Sequence, residues 1–225
     1  MEKFSESIEA RFTARHQKAI DLCGRVRGYR ILNTGCYNGW FEQAMLKKGA
    51  REVVGIDVNQ AFVKMARKAV TQAKFLKMSA LKLNFPSDRF DLVTILDVTE
   101  HLPKNQGKAC FQEIKRVLKP GGRVLISVPS YRLGTDFLDP AWYFGHRHYS
   151  SKQLKEKVNQ VGLRVLKTET KGSVWEILSL NLLYFFKHFL RTEVPFKNFL
   201  EKKRQEEYQE TEEGLVTLYL LAGKD

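Results

Sequence analysis

The sequence predicts an α/β fold in which helices cover both faces of a doubly wound, mainly parallel sheet. Between residues 29 and 130, short segments rich in Val, Ile and Leu alternate with longer segments of helical periodicity. Charged residues stand mostly at the ends of the apolar segments, as in 52–57 and 90–97. Strands that are buried on both faces of a parallel sheet have this pattern, so helices are expected on both sides.

Seven strands and up to seven helices follow from this pattern. The predicted strands cover residues 29–34, 52–57, 74–78, 90–97, 123–129, 163–170 and 215–222. The predicted helices cover residues 6–23, 40–48, 59–73, 108–118, 151–161 and the strongly apolar 173–190, with a charged helix or loop over 201–213. Gly49 and the Pro-Gly-Gly sequence at 120–122 are expected to end two helices, and Ser150 or Ser151 to cap another.

Charge and cysteine content indicate the environment of the chain. No run reaches the ~20 apolar residues of a spanning helix, and no apolar segment follows Met1, so neither a membrane span nor a secretory signal is predicted. Cys23, Cys36 and Cys110 form no Cys-x-x-Cys pair, which favours a reducing cytoplasm over a disulfide framework or a zinc site. The net charge of +13 favours an anionic partner: nucleic acid, an anionic membrane surface or a phosphorylated substrate.

A glycine-containing turn follows the first predicted strand, and an acid ends the second. Gly35 and Gly39 leave room for close approach of a ligand to the backbone. Asp57 is well placed to accept hydrogen bonds from ribose hydroxyls. Tyr37 and Trp40 interrupt the nicotinamide pattern Gly-x-Gly-x-x-Gly, and no Gly-Lys-Ser/Thr sequence of a P-loop is present. The segment therefore predicts a nucleoside-binding βαβ unit of another class.

Five segments, in order over 29–130, resemble the motifs of class I S-adenosylmethionine-dependent methyltransferases. They are the glycine turn at 33–39, the acid at 57, and the segments 75–91, 97–102 and 116–122, the last reading Arg-Val-Leu-Lys-Pro-Gly-Gly. The resemblance implies a Rossmann-like domain with seven strands, an antiparallel last strand and S-adenosylmethionine as cofactor. By the same resemblance, the cofactor contacts are expected at Gly35, Cys36, Tyr37, Gly39, Asp57, Val58, Ser79, Ala80, Leu96 and Asp97.

The chain departs from the family pattern at three positions. The family usually has Asp or Glu where this chain has Asn33, Gly where it has Tyr37, and Asp where it has Ser79. A side chain at 37 narrows the space beside the methionine part of the cofactor, whereas the Ser79 hydroxyl can still form hydrogen bonds. These departures leave open a non-catalytic binding protein with a methyltransferase fold.

One domain is expected over 1–225. It comprises a helical cap (1–28), a cofactor-binding half (29–130) and a substrate-side half (131–225) with a helical insertion at about 173–213. If 173–190 is helical, Leu178, Leu182, Phe185, Phe186 and Phe189 fall on one side. Four interpretations of this segment stay open: a core helix, a homodimer interface, a lid over an apolar substrate, or a peripheral membrane contact through 173–191.

Three histidines are the candidate catalytic residues, because His is the usual base near neutral pH: His101, His146 and His148. Displacement at a sulfonium methyl needs positioning and, for a hydroxyl or amine acceptor, a base. The Gly-His-Arg-His-Tyr-Ser sequence at 145–150 resembles an element found in members with lipid-linked or glycan-related substrates. Alternatively, His101 caps the following helix and the other two belong to a polar loop. No third metal ligand is evident, so no metal site is predicted.

The sequence therefore predicts a cytoplasmic methyltransferase, membrane-associated if the apolar insertion contacts lipid. Its acceptor is expected to be a hydroxyl or amine of a small, lipid-linked or glycan-type molecule, a quinone-like precursor included. An RNA methyltransferase is the alternative suggested by the charge. It is not favoured, because the chain has no appended RNA-binding motif and reads Asp-Val-Thr-Glu where an Asn-Pro-Pro-Tyr-like motif would stand.

Overall fold

A seven-stranded sheet forms the centre of the molecule, which the computed structural model describes over residues 13–103, 105–131 and 145–225. The strands are β1 (Arg30–Thr34), β2 (Glu52–Asp57), β3 (Lys74–Lys77), β4 (Phe90–Leu96), β5 (Leu118–Pro129), β6 (Arg164–Lys171) and β7 (Thr217–Gly223). Their order is β3-β2-β1-β4-β5-β7-β6. Strands β1 to β5 pair in parallel, and β7 is antiparallel to both of its neighbours. The predicted fold class and the antiparallel last strand are confirmed.

The chain order reverses at β1, which lies between β2 and β4. In open α/β sheets, ligands bind beyond the carboxyl ends of the strands at such a reversal. Thr34, the last residue of β1, is in register with Ile56 of β2 and Ile95 of β4. The segments that follow these three strands therefore begin side by side at one edge of the sheet.

Seven α-helices surround the described sheet: α1 (Ala14–Cys23), α2 (Trp40–Lys47), α3 (Gln60–Ala69), α4 (Gly107–Val117), α5 (Ser151–Asn159), α6 (Val174–Phe185) and α7 (Lys197–Glu210). Ser150 caps α5 by accepting a hydrogen bond from the Gln153 N–H (3.2 Å). Residues 6–12 of the predicted first helix lie outside the described residues. The predicted helix 59–73 ends at Ala69, because Val70 leaves the helix and packs into the core, where it is 5% exposed.

Strand β5 begins five residues earlier than predicted. Leu118 already pairs with Phe90, and the register then shifts, so that Leu92 faces Arg123. The Pro-Gly-Gly turn is thus an irregularity inside the strand. Gly121 has φ +73° and donates its N–H to the carbonyl of Lys224 (2.8 Å). The helix before it ends at Val117, as the position of the turn suggested.

Apolar residues pack on both faces of the sheet, because successive strand residues point to opposite sides. In β1, Leu32 belongs to the core under α4 and α5, while Ile31 belongs to the core under α1 and α2. Helices therefore cover both faces, as predicted from the apolar strands.

The apolar segment after β6 forms α6, a π-helical turn (Phe186–Leu190) and, after a loop, α7. The interpretation of 173–190 as a core helix is wrong. The buried residues of α6 are Glu176 and Ser179, while Leu183 and Phe185 are each 48% exposed. No helix in the described ranges has the length and apolarity needed to cross a membrane.

Candidate active site

A cavity of about 730 Å³ opens at the carboxyl ends of β1, β2 and β4. Its volume falls within the range of about 300–1,000 Å³ that is usual for small-molecule sites. Eight of the ten residues expected to contact a cofactor line it: Gly35, Tyr37, Asp57, Val58, Ser79, Ala80, Leu96 and Asp97. Cys36 and Gly39 are not part of the lining.

Cys36 and Gly39 belong to the glycine turn but are buried in the protein, outside the cavity lining. Cys36 is fully buried, and the N–H groups of Gly35 and Cys36 both donate to the carbonyl of Ile56 (2.8 and 2.9 Å). Gly39 has φ +87°, and a Cβ there would lie 3.1 Å from Val70 Cγ2 and 3.3 Å from the Phe75 ring. A glycine at 39 therefore keeps α2 close to α3 and β3.

Gly35 permits a close approach between two loops of the protein. It has φ +85°, and a Cβ at this position would lie 2.3 Å from Cγ2 of Val98, in the segment after β4. A side chain at 35 would push apart two segments that both line the cavity. The glycine is required here by the packing of the protein itself.

Tyr37 takes a left-handed backbone conformation (φ +45°), which glycine adopts at less cost. Its ring meets the Phe62 ring edge to face, with 4.9 Å between the ring centroids. Both residues line the cavity. The side chain at 37 is thus part of the wall on the α3 side.

A buried carboxyl group that sequence reasoning missed lies beneath the turn. Glu42 of α2 is fully buried and accepts a hydrogen bond from Asn33 Nδ2 (2.8 Å) at Oε1. Asn33 Oδ1 accepts one from the Thr94 hydroxyl (2.9 Å). Burial raises the pKa of Glu42 to about 7. Among the described residues, Glu42 Oε2 has no hydrogen-bond partner. The sequence signal was an acid between Phe41 and Met45, two residues that are both fully buried.

Asp57 is held at the end of β2 with its carboxylate at the cavity. Its Oδ1 accepts the N–H of Asn59 (2.8 Å), and its Oδ2 lies 3.4 Å from the N–H of Tyr37. Asn59 in turn caps α3 by accepting the N–H of Ala61 (2.9 Å). Carboxylate oxygens have lone pairs beyond these two contacts, so Asp57 can still accept hydrogen bonds from hydroxyls of a ligand.

Helix α1 reaches this cavity, which the sequence did not indicate. Arg15 forms an ion pair with Oδ1 of Asp97, and the Ser127 hydroxyl donates to the same oxygen (3.0 Å). Neither side chain is fully buried: Arg15 is 26% exposed and Asp97 37%. His16 and Trp40 also line the cavity, and their ring centroids are 4.2 Å apart.

Of the three candidate catalytic histidines, the structure places His101 in the cavity lining. The His146 ring stands perpendicular to it, with 4.5 Å between the centroids. Burial, followed by the charge of His146, lowers the pKa of His101 below its usual value. His146 and His148 are not in the described lining. No group of three or more His, Cys, Asp or Glu in the described ranges could hold a metal ion.

Side chains of the segment 145–150 contact the turn at 99–102, which carries His101. The Arg147 guanidinium donates to the carbonyls of Thr99 (2.9 Å) and Leu102, and the Tyr149 hydroxyl lies 3.4 Å from the Thr99 carbonyl. Glu100 is 4% exposed in the same turn. Burial and then repulsion from Asp97 raise the pKa of Glu100 to about 8.

These groups suit a nucleoside ligand that carries a reactive side chain. Asp57 offers a carboxylate to a pair of hydroxyls, while Phe62, Met78 and Leu81 offer apolar surface to a base. His101 offers an imidazole to an acidic proton.

Comparison with known proteins finds similarity to methyltransferases. The family described as "Methyltransferase domain" matches residues 32–126. The ubiquinone biosynthesis O-methyltransferase of Alkalilimnicola ehrlichii is 33% identical over 109 residues, which cover 46% of this chain and 43% of that protein. The chain spans less than half the length of the curated relatives that it matches.

Two solved structures share the fold over nearly the whole chain. An S-adenosylmethionine-dependent methyltransferase from Mesorhizobium loti has a TM-score of 0.67 and 18% identity, covering 97% of this chain and 100% of that one. The cyclase SpnF has a TM-score of 0.65 and 21% identity, covering 93% and 81%. At such identities, the likeness shows the fold, and a shared fold can host different reactions.

Proposed function

We propose that the chain is a class I S-adenosylmethionine-dependent methyltransferase, supported by its match to the methyltransferase domain family over residues 32–126 and by its fold, and that it methylates a hydroxyl or amine of a small, lipid-linked or glycan-type acceptor. The single observation that carries the proposal is that Asp57 and His101 line one cavity. The first is suited to the ribose of the cofactor, and the second to the proton of an acceptor.

The residues of the cavity are suited to the parts of S-adenosylmethionine. Asp57 would accept hydrogen bonds from the two ribose hydroxyls, and Ser79 and Ala80 would border the adenine. The glycine turn and Asp97 would hold the methionine part. The Tyr37 ring packs on Phe62 and leaves a cavity of about 730 Å³, so the side chain at 37 does not fill the site.

The cofactor supplies an electrophilic methyl group on a sulfonium. The protein positions the acceptor oxygen or nitrogen behind that methyl and excludes water. His101 accepts the acceptor proton on its imidazole, which is neutral near pH 7 because its pKa is lowered. His146 acts through its contact with His101, and Arg147 positions the turn through the carbonyls on both sides of His101. A catalytic role for His148 stays a prediction.

The acceptor class rests on the apolar cavity wall and on the relatives. Met78, Leu81, Leu102 and Pro103 give the cavity apolar surface. The name of the Alkalilimnicola relative refers to ubiquinone biosynthesis, so a quinone-like hydroxyl fits the same chemistry. The charge of +13 keeps RNA as a second candidate acceptor. A gel shift with RNA that weakens steeply with salt would favour it.

Calorimetric titration with S-adenosylmethionine and S-adenosylhomocysteine tests the cofactor site. We expect micromolar binding by the wild type. Asp57→Ala should weaken it by about a hundredfold or more, because each hydrogen bond to a charged group contributes ~1.5–3 kcal/mol. Asp21→Ala removes an exposed carboxylate of α1 outside the cavity lining and should bind like the wild type.

Tyr37→Gly distinguishes the two ways in which this test can fail. If folded wild type gives no heat and Tyr37→Gly binds, the ring obstructs the site and the wild-type chain is a non-catalytic member of the superfamily. If neither binds, the cavity is not a cofactor site, and the proposal of methyl transfer is overturned.

A further inference from the structure

Helix α6 turns apolar side chains to solvent and polar side chains to the protein. Its buried residues are Glu176 and Ser179, whereas Val174 is 66% exposed and Leu183 and Phe185 are each 48% exposed. An ordinary surface helix has the reverse arrangement. The solvent-exposed residues of α6 are therefore apolar except for Asn181.

Charged contacts with α7 fix α6 in this orientation. The Arg204 guanidinium donates twice to the Glu176 carboxylate, at 2.5 and 3.0 Å. The Glu207 carboxylate accepts the N–H groups of Ser173, Trp175 and Glu176 (2.7, 3.0 and 3.1 Å) and so caps the start of α6. A rotation that buried the apolar side would break a buried ion pair, which is strongly unfavourable.

The exposed apolar surface continues beyond α6. Eight of the twelve large hydrophobic residues that are exposed in the described chain fall within 174–199, which is far more than an even spread would give. We call them the apolar face: Val174, Leu178, Leu183, Phe185, Phe189, Leu190, Phe196 and Phe199. Phe189 and Phe196 are the most exposed, at 78% and 80%.

Aromatic contacts hold parts of this face together. The Phe185 and Phe189 rings stack with 5.5 Å between their centroids. Phe199 of α7 meets Trp175 of α6 edge to face at 5.9 Å. The aromatic side chains at the end of α6 and at the start of α7 are thus supported by neighbours while remaining open to solvent.

The charge around the face favours an anionic partner. Residues 185–203 carry five Lys or Arg and two Glu, and Arg191, Lys197 and Lys202 are exposed. A second copy of the chain would bring these cations against each other, with a charge of +13 on each molecule. Anionic lipid headgroups complement them instead.

We propose that the apolar face docks on the interface of an anionic membrane. The Phe and Leu side chains enter the boundary between headgroups and acyl chains, while Arg191, Lys197 and Lys202 contact lipid phosphates. No helix in the described ranges is long and apolar enough to span, so the contact is peripheral. This inference concerns a surface outside the cavity and does not depend on methyl transfer.

Vesicle flotation of the full chain tests it, with phosphatidylcholine vesicles and the same vesicles containing phosphatidylglycerol. We expect binding to the anionic vesicles that weakens with salt. Phe189→Glu and Phe196→Glu should each reduce binding about tenfold or more, because each removes an exposed aromatic group that would insert into the lipid and adds a charge that the anionic lipid repels. Lys197→Glu should reduce it at least fivefold.

Leu166→Glu is the matched control, since Leu166 is 42% exposed on β6, outside the face. Its binding should equal that of the wild type. The proposal is overturned if folded wild type stays unbound at low salt, or if Leu166→Glu loses as much binding as Phe189→Glu. A solution dimer that Phe189→Glu dissociates would also overturn it, because the face would then join two copies of the chain.

Discussion

Single residues around the cavity depart from the family pattern in ways that the surrounding structure accounts for. Asn33 occupies a position that is usually acidic, but a carboxyl group still lies 2.8 Å from its amide, on Glu42 of α2. Gly55 makes room for it, because a Cβ at 55 would lie 2.3 Å from Glu42 Oε1. In this chain the neighbouring helix α2 therefore places a carboxyl group beside Asn33.

Glu42 should make stability depend on pH. Its folded pKa of about 7 lies above the ordinary 4.5, so the native state holds a proton that the unfolded state releases between these values. The contribution of Glu42 to the unfolding free energy should therefore fall as pH rises from 4.5 to 7, by on the order of 3 kcal/mol at most. Glu42→Gln keeps the acceptor for Asn33 without titrating, and should flatten this decline in urea unfolding series.

Glu52, an acid whose pKa is lowered by Arg89 and Lys74 against the effect of its burial, provides the control. Glu52→Gln should leave the decline between pH 4.5 and 7 unchanged. If Glu42→Gln and wild type lose stability equally over this range, Glu42 does not hold the proton.

The contact between His101 and His146 should be visible in titration. Burial and the charge of His146 hold the pKa of His101 below 6.5. In His146→Gln, the second cause disappears, so the His101 midpoint, followed by NMR, should move to higher pH. Lys108→Gln changes an exposed residue in the first turn of α4 and should leave the titration midpoint of His101 unchanged. An unchanged midpoint in His146→Gln would show that the two rings do not interact.

At the scale of elements, α1 joins the cavity to the α6–α7 region. Glu201 of α7 accepts the N–H of Ala14 (3.0 Å), and the next residue, Arg15, pairs with Asp97. Helix α1 therefore contacts α7 on one side and the cavity on the other.

Removal of the Arg15 side-chain charge should weaken the contact between α1 and Asp97 at the cavity. Arg15 and Asp97 are 26% and 37% exposed, so solvent screens their attraction, and Arg15→Met should lower the unfolding free energy by about 1–2 kcal/mol. Urea unfolding measures this change. Arg25→Met alters an exposed residue after α1 and should stay within ~0.5 kcal/mol of wild type. Equal effects of the two variants would mean that the ion pair does not stabilise the protein.

At the scale of the whole molecule, the cavity lies where segments after β1, β2 and β4 meet α1, so a bound cofactor links separate parts of the chain. Ligand at a hundredfold excess over its Kd stabilises by about 2.7 kcal/mol. For a protein of this size, S-adenosylhomocysteine should thus raise the Tm by roughly 5–10 °C. Asp57→Ala should show almost no rise at the same concentration. A similar rise in both proteins would place the ligand elsewhere.

The sequence by itself determined the sheet, the helices on both faces and the position of the glycine turn beside Asp57. These features depend on local periodicity and on residues about twenty positions apart, within one βαβ unit. The irregular start of β5 was not predicted, since it depends on pairing of Leu118 with Phe90 and of Gly121 with Lys224.

Only the tertiary structure decided which groups meet around the cavity and how α6 faces solvent. Arg15 meets Asp97, and Arg147 meets Thr99, across long stretches of chain. The apolar sequence of α6 suggested burial, but the ion pair between Glu176 and Arg204 turns the polar side inward. The sequence of a helix shows how many of its residues are apolar, whereas contacts between distant residues decide which of its sides is buried.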